Sequence, residues 1–489
     1  MKKAITALFA ACFLALLPSC TKFGGDEESG KREYYTLKYV NQFGYNVMSA
    51  YYLWINEPQV RDSMQTWRSN NDPIKKVKAV RYKDPSGKDI DRWTQMTDDY
   101  DTFVKSVEGV STTYGYEFTL YHTDTTKQYV AVAVTLVYND SPAAKAGLKR
   151  GDLIVKADGN PIPTEQYVSI VKEKLMNSAH CEIGLRDGRT LTMNSVEMYC
   201  NPVHIAKVFD CGGKKVGYLH FTSFTLAACP DLINVCKDFK AQGVSELILD
   251  LRYNGGGYVQ TEEVMASMFA PVAVVSSGTV FMTEVYNDKL TEAWGEDETI
   301  TYFRNSFKIN GTTYDTAEAN IGLSKIYAIM TGGSASASEA LVCGLKPFVD
   351  LEIIGEQSYG KYCTGYILEG AKWYDDIKKS LSSTEYKNGM KYAANWGIYV
   401  MIGRYADRDG NTGCMPDGFT PDHEVRDNPL DGHQLGDPEE TMLKAALTLA
   451  GYEYPAAPTS VKKKPATLIG GPASPKRETF GVFLRQESI

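Results

Sequence analysis

Three segments of the chain hold residues whose types and order can do chemistry. The first is Asp250-Leu251-Arg252-Tyr253-Asn254-Gly255-Gly256-Gly257. It reads as a buried strand running into three glycines, with a helix soon after. Glycines let a backbone approach a ligand closely and present N–H groups to an anion. A phosphate loop would continue with Lys-Ser/Thr, whereas Tyr258-Val259 follow here, which argues against a nucleotide. The second is Thr331-Gly332-Gly333-Ser334-Ala335-Ser336-Ala337-Ser338-Glu339-Ala340, predicted to join a strand to a helix. A side chain there stands at a helix N-terminus, a place that suits a nucleophile whose oxyanion needs donors nearby. Such a turn also serves as a plain helix cap, and it is not a Gly-x-Ser-x-Gly elbow. The third is Gly355-Glu356-Gln357-Ser358-Tyr359-Gly360-Lys361, a strand end whose lysine, taken alone, would be an ordinary solvated charge.

The elements that position these segments alternate. Between residues 199 and 455 strands are expected at Lys215–Phe221, Glu246–Leu251, Ile326–Met330 and Leu351–Ile354. Helices are expected at Pro230–Gln242, Gln260–Phe269 and Ser336–Leu345. Such alternation predicts an α/β domain on a largely buried sheet. Ahead of it, residues 33–110 show helical periodicity at Val40–Trp54 and Thr97–Val107 and are expected to form a small N-terminal helical domain. Residues 111–198 change character, with a Val-rich strand at Tyr129–Tyr138, then Ser141–Leu148, Arg150–Val155 and an Asp158-Gly159 turn in quick succession. Residues 456–489, rich in Pro, Lys and Gly, read as a flexible tail.

At 489 residues the chain is too long for one core. Its formal charge of −8, with no Lys/Arg-rich stripe, argues against nucleic acid as a partner. Lys2 and Lys3 precede an apolar run, Ala4–Leu17, that is too short to span a bilayer, so residues 1–20 read as a secretory signal. Leu17-Pro18-Ser19-Cys20 resembles a bacterial lipobox, which implies lipidation at Cys20, a tether over residues 21–32 and an exported protein anchored in the bacterial cell envelope. An ordinary signal peptide cleaved nearby is the other reading. Eight further cysteines show no CxxC spacing, which disfavours a zinc site, and export would permit some of them to pair.

Residues 111–198 resemble a PDZ domain of the bacterial, protease-associated type. Such domains capture a peptide as an added strand and hold its terminal carboxylate on backbone N–H groups. On that resemblance Tyr114, Gly115, Tyr116, Glu117 and Phe118 fall at the carboxylate-binding loop, although a plain strand entry would read the same way.

The three chemical segments together resemble the carboxy-terminal processing peptidases, or tail-specific proteases. Their hallmarks are a strand ending in Leu-Arg-x-Asn-Gly-Gly, a Ser-Ala-Ser-Ala-Ser-Glu turn and a Gly-Lys loop, with the lysine 25 positions after the middle serine, the spacing of Ser336 and Lys361. Val216-Gly217-Tyr218-Leu219 and the preceding PDZ-like module extend the likeness to about residues 110–450. The resemblance implies an α/β catalytic domain of the crotonase/ClpP-like kind in an α+β multidomain chain. It also implies a serine endopeptidase acting on protein or peptide substrates, with no metal or other cofactor. A serine hydroxyl needs a base at hydrogen-bond distance, and a lysine serves only when neutral, which burial favours. Lys361 would take the proton from Ser336. The oxyanion would rest on the N–H of Ala337 and of Gly255 or Gly256. Family members often carry Gln four positions after the lysine, where this chain has Gly365, or Asp eleven positions after the serine, where it has Pro347. The group that orients Lys361 is thus unassigned, with Asp350 nearby. Histidine-based catalysis is the competing enzyme reading. His220 lies near the expected sheet but reads as a core residue, and His423 as structural. Two non-catalytic readings stand beside these, a peptide-binding envelope lipoprotein and a polysaccharide-handling one; the second lacks paired carboxylates or an aromatic platform.

Overall fold

Val244–Asp250 carries apolar side chains at adjacent positions, a pattern that needs cover on both faces of a sheet. The computed structural model, which describes residues 27–123 and 126–454 with two further strands at Leu468–Gly470 and Phe483–Leu484, shows what covers it. The signal segment and Cys20 lie outside the described residues.

Four helices open the described chain: α1 (Glu27–Tyr51), α2 (Pro58–Gln65), α3 (Pro73–Val80) and, after the short strand β1 (Gln95–Thr97), α4 (Tyr100–Val107). Asp72 and Asp99 cap α3 and α4 by accepting the backbone N–H three residues on. The next module holds β2 (Tyr116–His122), β3 (Val130–Val137), β4 (Leu153–Ala157), β5 (His180–Leu185) and β6 (Thr190–Asn194). It has its own core, built from Phe118, Val132, Val134, Ile154 and Ile183 among others, against a helical segment at Tyr167–Met176. A two-stranded ribbon, Val110–Thr113 against Val196–Tyr199, ties both ends of the module to the rest.

The remaining elements run β7 (Val203–Cys211), β8 (Lys214–Phe221), α5 (Cys229–Ala241), β9 (Val244–Asp250), β10 (Gly257–Tyr258), α6 (Val259–Phe269), β11 (Val280–Tyr286) and β12 (Ile300–Tyr302). They continue with β13 (Lys325–Met330), α7 (Ala337–Leu345), β14 (Asp350–Gly355), β15 (Cys363–Glu369), β16 (Gly397–Asp407), β17 (His423–Glu424) and α8 (Thr441–Leu449). The tail strands are β18 (Leu468–Gly470) and β19 (Phe483–Leu484).

The central sheet has the order β7-β8-β9-β13-β14-β17, parallel from β8 onward. Side chains of its strands divide between two cores. Ile248, Tyr327, Ile329 and Ile354 pack on Met442, Leu443 and Leu447 of α8. Leu247, Leu249, Ile326 and Ala328 join α5, α6 and α7 on the other face. The second sheet has the order β10-β19-β15-β16-β11-β12, with β1 also on β16.

Two expectations change here. The N-terminal helices have no core of their own: Tyr39, Val40, Phe43 and Val47 share one core with Trp373, Tyr374 and Val400 of the α/β region. Residues 33–110 are too few, and their apolar stripe too wide, to be covered without that sheet. The tail, expected to be flexible, contributes β18, antiparallel on β2, and β19, parallel on β10. The eight cysteines among the described residues are all buried, and none of them forms a disulfide there.

Arg150, carried by the small module, is buried against the α/β region. It donates to Thr135 O (2.9 Å), the Tyr253 hydroxyl (2.8 Å), Asp427 (2.7 Å) and Glu440 (3.3 Å). Arg252, fully buried, donates to both oxygens of Asp250 and of Glu440. Burial pushes the Asp427 carboxyl up, but Arg150 and Arg252 outweigh it and hold the group below its ordinary value. Without Arg150, the two carboxylates Asp427 and Glu440 would share Arg252 as their one remaining guanidinium in a buried site. Arg150→Met should therefore cost about 3–5 kcal/mol in urea unfolding; a loss below about 1 kcal/mol, the scale of an exposed pair, would show that the network carries no load.

Candidate active site

The glycine loop and the serine turn meet through Asn254. Its amide nitrogen donates to Phe221 O (2.8 Å), while its carbonyl accepts from Ala335 N and from the Ser338 hydroxyl, both at 3.0 Å. Ser334 Oγ donates to Leu251 O at 2.8 Å, fixing the turn to the end of β9. Gly256 has φ +105°, and a Cβ there would sit 2.8 Å from Ser336 Cβ and 3.0 Å from Ala337 N. Only glycine allows that approach.

Ser336 is fully buried and left-handed, with φ 61°, at the N-cap of α7. Its N–H donates to Glu339 Oε2 at 3.0 Å. Its hydroxyl is buried and makes no hydrogen bond among the described residues. A strained residue with an uncommitted hydroxyl at a helix N-terminus is suited to attack an electrophile.

Glu339 was not singled out by the sequence reading, yet it joins the second and third segments. One carboxylate oxygen accepts from Ser358 Oγ (2.5 Å) and Gly360 N (2.7 Å), the other from Ser336 N (3.0 Å) and Lys361 N (2.8 Å). The serine and lysine backbones thus converge on one oxygen atom. Burial pushes the carboxyl pKa up and the four donors pull against it. The Ser-x-x-Glu spacing of a capping box is the signal that could have found it.

Lys361 is fully buried, and desolvation pulls its pKa down to about 7. Its Nζ lies 5.6 Å from the Trp93 ring centroid and 4.9 Å from that of Tyr399, and it donates to the Tyr399 hydroxyl at 2.7 Å. It is not hydrogen-bonded to Ser336 in this structure. Trp93 comes from the N-terminal segment, which therefore supplies a wall of the lysine site.

Other expected residues fall as follows. The Gly256 N–H donates to Asn254 Oδ1 at 2.9 Å. That commitment takes it out of the donor set and leaves Gly255 and Ala337. Tyr114 and Tyr116 donate to Ser178 O and Leu175 O, and Tyr138 donates to Glu117. With Phe118 they are core residues, so only the backbone of 114–118 remains to meet a ligand, and the Gly115 N–H is already held by Thr113 Oγ1. Asp350 is exposed and pairs with half-buried Lys325 at 3.1 Å, away from Lys361. His220 shares a hydrogen bond with His204 at 2.9 Å, and His423 with Glu352 at 2.8 Å. A cleft of about 680 Å³ runs between Thr119 and Tyr121 of β2 and the Thr331–Gly333 turn, with Glu356 and Gln357 beside it.

The family model described as Peptidase family S41 matches residues 215–425, and a PDZ domain model matches residues 133–176. A carboxyl-terminal-processing protease of Picosynechococcus sp. is 23% identical over 323 residues, 65% of this chain and 66% of the relative. A probable CtpA-like serine protease of Staphylococcus epidermidis is 24% identical over 238 residues, 48% of this chain and 43% of the relative. The chain thus spans under two thirds of the length of these relatives. The crystal structure of a putative S41 protease from Bacteroides fragilis superposes with a TM-score of 0.60 at 20% identity, covering 88% of this chain and 98% of that one, and shares the fold.

If Glu339 holds the site together through all four acceptor positions, an amide cannot replace it, because its NH2 would face two N–H or O–H donors. Glu339→Gln should lower kcat/KM on a protein substrate by roughly 10²-fold while the circular dichroism spectrum stays native. Wild-type kcat/KM in that variant would remove the clamp from the account.

Proposed function

We propose that the chain, which matches the Peptidase family S41 model over residues 215–425 and a PDZ domain model over residues 133–176, is a serine endopeptidase of the carboxy-terminal processing type, working through Ser336 and Lys361. The observation that carries this reading is a lysine buried among aromatic rings, held near neutrality, on the same carboxylate oxygen as an uncommitted buried serine. The neutral Lys361 amine takes the Ser336 proton, and Oγ attacks the scissile carbonyl carbon. The C–N bond then breaks, the lysine returns its proton to the leaving amine, and water resolves the acyl-enzyme by the same route. Ala337 N, the first N–H of α7, and Gly255 N would receive the oxyanion; loss of one such donor costs on the order of 10²–10³ in kcat.

Protein substrates would be recruited as added strands. Strand addition is seen within the chain itself, where β18 lies on β2 and β19 lies between β10 and Gly365 of β15. A peptide-binding lipoprotein without catalysis is the alternative; the intact Ser336 and buried Lys361 speak against it. We also infer export and a lipid anchor at Cys20, on the strength of Leu17-Pro18-Ser19-Cys20 after a short apolar run. No helix among the described residues is long and apolar enough to cross a membrane.

The following outcomes test this reading. A fluorophosphonate probe should label the wild type and not Ser336→Ala; equal labelling of the two would sink the nucleophile. The base must be neutral, so kcat/KM should climb with pH through about 7, the lowered Lys361 value. The unfolded lysine keeps its proton up to its ordinary 10.5, so this group also makes stability rise with pH between about 7 and 10.5. Lys361→Met relieves that desolvation and should melt at the same temperature or higher while cleaving nothing; a cleaving variant would overturn the dyad. Metabolic labelling with radioactive palmitate should disappear in Cys20→Ala, and its persistence would exclude the anchor.

A further inference from the structure

The carboxy-terminal processing pattern supplies a side chain at the position of Gly365 to orient the lysine, and this chain has none there. The structure shows what occupies that space. Gly365 lies at the irregular point of the β15–β16 ladder, where the register shifts between Thr364 and Gly365. A Cβ on it would stand 2.1 Å from Tyr399 Cε2 and 2.3 Å from both Tyr399 Cζ and Oη. The ring of Tyr399 therefore fills the volume that any side chain at 365 would need, and its hydroxyl accepts from Lys361 Nζ at 2.7 Å.

Tyr399 is held firmly enough for such a task. It is 2% exposed and belongs to β16, paired on one side with Ile367 of β15 and on the other with Gln95 of β1. Phe103 of α4 packs on its ring at 6.3 Å between centroids. Two strands and an N-terminal helix thus fix where the phenol oxygen stands.

We propose that Tyr399 is the positioning residue for Lys361, reaching from β16 into the space left by Gly365. The inference rests on the Ser–Lys reading above. A neutral amine has two N–H bonds and one lone pair. With one N–H given to the Tyr399 oxygen, rotation about the Cε–Nζ bond is restricted and the lone pair has a defined direction in which to meet the Ser336 proton. When the amine takes that proton, the same oxygen accepts from an ammonium, and the bond strengthens as charge develops.

The sign of the pH effect follows. The Tyr399 oxygen favours the charged amine, so its loss lowers the Lys361 pKa further. The full-length Tyr399→Phe protein, which keeps the ring and its packing, is assayed on fluorescein-labelled β-casein across neutral pH, beside Lys361→Met. The expected result is a kcat lower by roughly 10- to 100-fold, an unchanged KM, an unchanged melting temperature, and a rising limb of the pH profile moved to lower pH. Wild-type kcat with an unmoved profile in Tyr399→Phe, while Lys361→Met is inactive, overturns the positioning role and leaves the dyad standing. Cleavage by Lys361→Met overturns the dyad and the positioning role with it.

Discussion

One buried carboxylate holds the site in register. Glu339 takes four hydrogen bonds, two from the turn and loop that carry Ser336 and Lys361 and two from Ser358 and Gly360. A charge buried this deeply is unfavourable unless every lone pair is used, and here every donor it uses belongs to one of the two chemical segments. The same bonds that solvate Glu339 therefore fix the distance between serine and lysine. Ser358 extends the clamp, since its hydroxyl also accepts from Phe419 N at 2.7 Å and draws in the loop before β17.

Around that clamp the site is built from low dielectric. Lys361 has no carboxylate as a direct partner; its Nζ meets aromatic faces and a phenol oxygen. Such an environment destabilises the ammonium and yields a base near neutral pH. The contrast with Arg252 is instructive. Arg252 is equally buried, but Asp250 and Glu440 surround it, so it stays charged and serves as scaffold under the glycine loop. Two basic side chains at zero exposure thus shift in opposite directions, because one has carboxylates in contact and the other has rings.

The apolar surroundings come from distant parts of the chain. Trp93 and Phe103 belong to the N-terminal segment, and β1 pairs with β16 beside Tyr399. The helices that read as a separate domain are thus part of the wall of the site, which is why they share its core. The PDZ-like module, by contrast, encloses most of its own apolar residues and meets the α/β region through a ribbon, a buried arginine and a small apolar cluster of Leu136 and Tyr138 with Tyr253 and Leu435.

How much of this was legible depends on range. The strands and helices expected between Lys215 and Ile354 follow from local periodicity and turn chemistry, and their observed counterparts start or stop within one or two residues of them, whereas Val280–Tyr286 and Ile300–Tyr302 of the second sheet were not anticipated. Ser336, the glycine loop and Lys361 stand in short motifs whose order and spacing carry their meaning, so sequence alone determined the candidate pair. It also left a marker for what was missing, in Gly365. Tertiary structure alone decided what fills that gap. Tyr399 is one of 32 tyrosines, and nothing in its local context distinguishes it; it matters because the β15–β16 register lays its ring over Gly365 and its oxygen against Lys361. Local pattern specifies which residues can do chemistry, whereas long-range pairing and burial set the protonation and direction that let them do it.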